Sequence, residues 1–182
     1  MPPTVTVLGT GGTIASTAEA GGATPTLSTD ALLEAVPGLA EFADVRTEQV
    51  AQVPSYELDF ETAARIRTAT ADAAESADGV VVTHGTDTMA ESAYLLDLTF
   101  AADVPVVFTG AQRRPDEPSP DGPSNLLTAV RAAVHDRLAD AGGVYVAFDE
   151  LVHAARDVQK VHTRRLDAFA SPDAGHVASF TP

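Results

Sequence analysis

"GVVVTHGTDTMAESAYLLDLTF", residues 79–100, carries the strongest architectural signal in the chain. Gly79–Thr83 is a continuous apolar run, the pattern of a strand buried on both faces, as in parallel sheets covered by helices on either side. A polar turn, Thr83–Thr88, follows at once. Asp87–Phe100 then reads as a helix, with Met89, Ala93, Leu96 and Phe100 on one stripe.

The same alternation recurs on both sides. Thr4–Leu8 alternates valine and threonine as a strand, and Gly9 ends it. Residues 17–28 are small, polar and Gly/Pro-containing, so they read as a mobile loop. Ser28 or Thr29 caps a short helix with Leu32, Leu33 and Val36 on one face, and Pro37–Gly38 stops it. Val45–Val53 reads as a strand and Leu58–Ser76 as a helix. "PVVFT", 105–109, and "GVYVAF", 143–148, are further strands. Arg113–Pro123 holds four prolines and is a loop, after which Ser124 caps a helix to about Ala139. Leu151–Thr163 reads as an extended hairpin. The expected fold is α/β: a three-layer, doubly wound, mostly parallel sheet with right-handed crossovers and helices on both faces, in one domain spanning 1–182. In such sheets ligands sit beyond the carboxyl ends of the strands, where the two sharpest polar turns fall, Gly9–Thr13 and Thr83–Thr88.

Composition narrows the function. The formal net charge is −15, from 11 basic and 26 acidic residues spread along the chain. This is a solvated acidic surface, opposed to nucleic-acid binding, which needs a basic face. Cysteine is absent, so there is no disulfide framework, thiolate metal site or cysteine nucleophile. The start has neither a basic leader nor a long apolar run, so a cytoplasmic protein without a membrane span is expected. Ten of the 11 basic residues are arginine, and Lys160 is the one lysine. Acidic excess with so little lysine suggests a high-salt or high-GC source.

Three stretches carry candidate chemistry. "GTGGTIAS", 9–16, lacks the third glycine of a dinucleotide fingerprint and the lysine of a P-loop. It is either a glycine turn or the seat of a nucleophile at Thr13. In "THGTDT", 83–88, the Thr86 hydroxyl sits beside the Asp87 carboxylate; Asp87 is either a helix cap or a site residue. Threonine attacks only if something removes its proton. "ARDVQK", 155–160, supplies Lys160 in a chain that uses arginine at every other basic position. Arginine stays protonated, whereas lysine can accept a proton. The five histidines show no metal-ligand spacing.

Taken together, "TGGTIAS" at 10–16, "VVVTHGTDTMAESAYLLDLTF" at 80–100, "GAQRRP…SPDGPSNL" at 110–126, "RDVQK" at 156–160 and "AFASPDAG" at 168–175 resemble the bacterial-type L-asparaginases, the asparaginase/glutaminase family. The resemblance implies hydrolysis of asparagine, or of glutamine, to the acid and ammonia, with no metal or organic cofactor. It implies Thr13 as nucleophile, with Thr86, Asp87 and Lys160 as the other catalytic residues, and Ser55, Tyr56, Gly85, Asp87 and Ala111 around the substrate. It also implies two alternatives. One is the asparaginase-like subunit of the archaeal glutamyl-tRNA amidotransferase. The other is a catalytically silent domain that binds asparagine.

The chain departs from the family in three ways, one being that Tyr56 stands where many members carry a glutamine after the Ser55 position. The loop after "TGGTIAS" lacks the family's tyrosine, its counterpart falling near Ala23 or Thr24, and the first tyrosine is Tyr56. Tyr56 is a candidate to fill that role. The family's second, smaller α/β domain is also expected to be missing, the chain being either a fragment or isolated N-terminal domain, or one whose partner is a separate chain. That leads to an expected homo-oligomer or association with a C-terminal half, an exposed apolar face, and weak or absent activity of this chain alone.

Overall fold

The computed structural model describes residues 2–19, 22–101 and 103–181. The strands in chain order are β1 (Thr4–Gly11), β2 (Ser16–Glu19), β3 (Gly22–Pro25), β4 (Asp44–Val53), β5 (Gly79–Thr83), β6 (Val106–Thr109), β7 (Val144–Phe148), β8 (Leu151–Ala154), β9 (Gln159–Lys160), β10 (Phe169–Ala170) and β11 (Ala178–Ser179). The helices are α1 (Thr29–Glu34), α2 (Phe60–Ala74), α3 (Met89–Thr99), α4 (Gly122–Ala133) and α5 (Asp136–Ala141).

Seven strands form one sheet in the order β11-β8-β7-β6-β5-β1-β4. β4, β1, β5, β6 and β7 run parallel, and β8 returns antiparallel to β7. The alternating side chains of these strands feed two cores. Val5, Val7, Val81, Val107 and Tyr145 pack with Leu32 of α1, Leu126 and Ala129 of α4, and Leu138 of α5. Leu8, Val80, Val82, Phe108 and Val146 pack with Ile66 of α2 and with Met89 and Ala93 of α3. Each of these large apolar side chains contributes roughly 1.5–3 kcal/mol on full burial, so the three-layer α/β fold read from the sequence is the one the burial pattern stabilises.

β1 is flanked by β4 on one side and β5 on the other, so the chain reverses its direction of travel across the sheet at this point. In open α/β sheets the ligand crevice lies beyond the carboxyl ends of the strands at such a point. Among the described residues no helix is long and apolar enough to cross a membrane.

Three local expectations are corrected. Residues 17–28 are not a plain loop: β2 and β3 pair antiparallel, the Thr17 and Thr26 hydroxyls share a 2.7 Å hydrogen bond, and the Ala18 N–H donates to Asp116 at 2.8 Å. Residues 20 and 21 of that stretch lie outside the described residues. The helix after the proline loop begins at Gly122 with Pro123 in its first turn, where a missing N–H costs nothing. It does not run to Ala139, because it stops at Ala133 and restarts at Asp136 after an extended His135. The break turns α5 so that Leu138 reaches the core. Finally, Leu151–Thr163 is not a hairpin within itself. β8 pairs back on β7 through Asp149 and Glu150, both at positive φ (50° and 66°), and β9 pairs with the later β10.

Candidate active site

Four parallel strands deliver their carboxyl ends to the crevice. β4 leads to Ser55, in a 3-10 turn over Ser55–Glu57, and β1 to Thr13, which opens a 3-10 turn over Thr13–Ala15. β5 leads to Gly85, Thr86 and Asp87, and β6 to Gly110 and the buried Ala111. Lys160 arrives from the far side on β9, which the antiparallel return of β8 brings back towards the start of α3.

The two glycine-bearing turns touch. Gly12 has φ +79°, and a Cβ there would run into the Cα and N of Gly85. A Cβ on Gly85 would lie 2.6 Å from Ser55 Oγ and 2.7 Å from Ser55 Cβ. Only glycine at both positions lets the β1, β5 and β4 turns close on one another. Ser55, 5% exposed, is held twice: its Oγ accepts the Asp87 N–H at 3.2 Å and its carbonyl accepts the Thr88 hydroxyl at 3.0 Å.

Lys160 Nζ lies 2.8 Å from Thr86 Oγ1 and 2.8 Å from Asp87 Oδ1. Thr86 is 5% exposed. The Asp87 side chain is 55% exposed against 16% for Lys160, so one end of this cluster is packed and the other opens to solvent. Thr88, not Asp87, is the N-cap residue of α3, which leaves the Asp87 carboxylate to the lysine. Among the described residues the Thr13 hydroxyl makes no side-chain hydrogen bond. Tyr56 follows Ser55 and is 69% exposed. Among the described residues no group of three or more metal-ligating side chains gathers.

Several supporting residues were given no role by the sequence, although they lie within the quoted motifs. The Thr10 hydroxyl donates to the Thr83 carbonyl at 2.7 Å, linking β1 to β5 beneath the turns. Asn125 donates to the Gly110 carbonyl at 3.0 Å and accepts the Asp149 N–H at 3.0 Å, pinning the end of β6 to the β7–β8 turn. The Asp121 carboxylate collects the N–H groups of Gln112 and Arg113.

His84 sits under the β5 turn, wholly buried, with its Nδ1–H donating to the Gly85 carbonyl at 2.7 Å. Burial pushes its pKa down from 6.5 to about 4, against the smaller opposing pull of that hydrogen bond. The unfolded chain therefore binds a proton between pH 6.5 and pH 4 that the folded chain excludes. Stability is unaffected by His84 above pH 6.5 and falls as pH drops through this window, by about 3 kcal/mol in all. Burial lowers the His153 pKa as well, which adds to the same slope. Urea unfolding at pH 7 and pH 4.5 should show the loss, and His84→Gln should make the dependence shallower. An equal slope in both proteins would refute the assignment.

The "Asparaginase, N-terminal" family model matches residues 4–182. The chain is 42% identical over 177 residues to a probable periplasmic L-asparaginase of Haemophilus influenzae, covering 95% of this chain and 50% of that protein. It is 38% identical over 177 residues to a glutamyl-tRNA(Gln) amidotransferase subunit of Methanosarcina acetivorans, covering 93% of this chain and 41% of that protein. The solved structure of a probable cytoplasmic L-asparaginase from Campylobacter jejuni superposes with a TM-score of 0.89 at 40% identity, over 98% of this chain and 55% of that one. The chain thus spans about half the length of the relatives it matches.

Proposed function

Because this chain belongs to the asparaginase family, we propose that it is the catalytic domain of an amidohydrolase converting L-asparagine to L-aspartate and ammonia through an acyl-threonine intermediate. The observation that carries the reading is the pair of 2.8 Å contacts from Lys160 Nζ to Thr86 Oγ1 and Asp87 Oδ1, beside the turn that presents Thr13. Thr13 Oγ attacks the side-chain amide carbon. Its proton passes through Thr86 and Lys160 to the amide nitrogen, the C–N bond breaks, and ammonia leaves. Water then attacks the ester carbonyl, and the Thr13 hydroxyl is restored as aspartate departs. Backbone N–H groups at the glycine turns meet the oxyanion, where preorganised donors act on developing charge.

The α-ammonium binds the Asp87 carboxylate, which is half open to solvent. The Ser55 hydroxyl accepts one N–H and keeps its own proton for the α-carboxylate. Gly85, Tyr56 and Ala111 line the remaining sides. Glutamine carries the same groups on a side chain one methylene longer. The scheme uses neither metal nor organic cofactor.

The exposed flank of Asp87 and Tyr56 is where a second domain, or a neighbouring copy in a homo-oligomer, completes the site. We place the protein in the cytoplasm. Ammonia and aspartate should be measured for the chain alone and with a C-terminal half supplied from a relative. Strong activity is expected only in the second case, and full activity of the lone chain would overturn the completion of the site. Calorimetric binding of asparagine with no product in either case would make this a silent binding domain. The amidotransferase relative favours a second reading, release of ammonia to a partner protein; hydrolysis that appears only when such a partner is added would support it.

We assign the acidic surface to a high-salt setting. At net charge −15 the folded chain repels itself, and molar salt shortens the screening length to about 3 Å. The midpoint of thermal unfolding should rise by at least about 4 °C between 0.1 and 2 M KCl, equivalent to about 1 kcal/mol or more. An unchanged midpoint would exclude salt adaptation.

A further inference from the structure

The pairing of β1 with β4 breaks just before the candidate nucleophile. The register runs evenly from Thr4↔Asp44 to Gly9↔Gln49 and resumes at Gly11↔Val53. β1 advances two residues across this gap while β4 advances four, so the ladder is interrupted alongside Thr10. A broken ladder leaves backbone groups in need of partners, and one side chain supplies them.

Gln49 Nε2 donates to the Gly9 carbonyl at 3.1 Å and to the Ala51 carbonyl at 2.6 Å. Gln49 Oε1 accepts the Thr29 N–H at 3.1 Å and the Thr29 hydroxyl at 2.9 Å. A primary amide has two donors and two principal acceptor sites, and here all four are used. They tie together the last regular residue of β1, the bulged part of β4 and the buried first residue of α1. Gln49 is exposed on its outer side, and on its inner side the approach is close: a Cβ on Gly9 would overlap Thr29 Oγ1 and come within 2.9 Å of Gln49 Nε2. Beyond the clamp, the Gly12 N–H meets the Val53 carbonyl at 3.2 Å. Between the clamped Gly9 and Thr13 stand Thr10, whose hydroxyl is bonded to the Thr83 carbonyl at 2.7 Å, and Gly11 and Gly12, both at positive φ.

We infer that Gln49 is a positioning residue: by bridging the β1–β4 register break it fixes where β1 leaves the sheet, and hence where the Thr13 hydroxyl stands in the crevice. This rests on Thr13 as the nucleophile, and displacement of a reacting atom by about 1 Å can cost on the order of 10²-fold in rate. Ser55 is held separately, by Asp87 and Thr88, so substrate binding should be largely spared.

The test compares Gln49→Met, which keeps length and loses all four hydrogen bonds, with Gln49→Glu. In the second, an ionised carboxylate faces the Gly9 and Ala51 carbonyls without a donor; protonation restores one. Amide hydrogen exchange is read over residues 10–13 and over the rest of the sheet, and hydrolysis is assayed with the C-terminal half supplied. Gln49→Met should speed exchange at 10–13 by at least about tenfold, with β5, β6 and β7 unchanged. Its kcat should fall by about 10- to 100-fold, with KM within about threefold of wild type. Gln49→Glu should show the same local loosening at pH 8 and recover on acidification, relative to wild type at each pH. Unchanged exchange at 10–13, or acceleration spread evenly over the sheet, overturns the inference. If Gln49→Met does not fold, the pH dependence of Gln49→Glu decides it. If the wild type hydrolyses nothing, the asparaginase reading fails, while the exchange comparison still decides the role of Gln49.

Discussion

Lys160→Met is expected to lower hydrolysis by about 10³-fold or more while the protein stays folded. The loss follows from proton transfer. Positioned acid–base groups are worth roughly 10²–10⁴-fold, and Lys160 Nζ, 2.8 Å from Thr86 Oγ1, is the one lysine amine in the chain. Folding is spared because the ion pair with Asp87 is half solvated on the carboxylate side; such pairs contribute about 0–1 kcal/mol, and methionine keeps most of the buried stem. Lys160→Arg separates charge from proton transfer. A guanidinium preserves the positive charge beside Asp87 but cannot accept a proton, so it should be nearly as slow. Steady-state ammonia release with the C-terminal half supplied, together with circular dichroism, checks both variants. Substantial activity in Lys160→Arg would show that the charge matters and the proton relay does not.

The architecture was legible where burial alone dictates it. β5, β6 and β7 are short apolar runs because both faces of each strand are covered, and the Ser28 cap was legible because its side chain accepts the Ala31 N–H, a local interaction. The misread segments are governed by distant partners. β2 pairs with β3 beside the Asp116 carboxylate, 98 residues away from Ala18, which no local pattern contains. The β7–β8 turn puts Asp149 and Glu150 at positive φ, conformations usually advertised by asparagine or glycine. The same division applies to the site. Thr13, Thr86, Asp87 and Lys160 were singled out by motif and by the rarity of lysine, and Ser55 by the family resemblance alone. Gln49 looks like any polar residue on a partly exposed strand, and only the register break shows what its amide joins.

Thr13→Ala is expected to abolish hydrolysis, with a loss on the order of 10⁴–10⁶-fold as for other covalent nucleophiles. The geometry makes this a clean substitution. Thr13 is half-buried at the start of a 3-10 turn, and its hydroxyl makes no side-chain hydrogen bond among the described residues, so its removal strands no partner. The turn is set by Gly12 and by the 3.1 Å hydrogen bond from the Ala15 N–H to the Gly12 carbonyl, neither of which involves the hydroxyl. The unfolding midpoint should therefore stay within about 2 °C. Thr13→Ser keeps the nucleophile but loses the γ-methyl that restricts χ1, so it should fall between wild type and Thr13→Ala. An acid-quenched reaction of the wild type should carry an aspartyl ester on the peptide containing Thr13, and Thr13→Ala should not. Turnover by Thr13→Ala at the wild-type rate, or an ester on Thr86 instead, would transfer the nucleophile's role to the neighbouring turn, where Lys160 already contacts the hydroxyl.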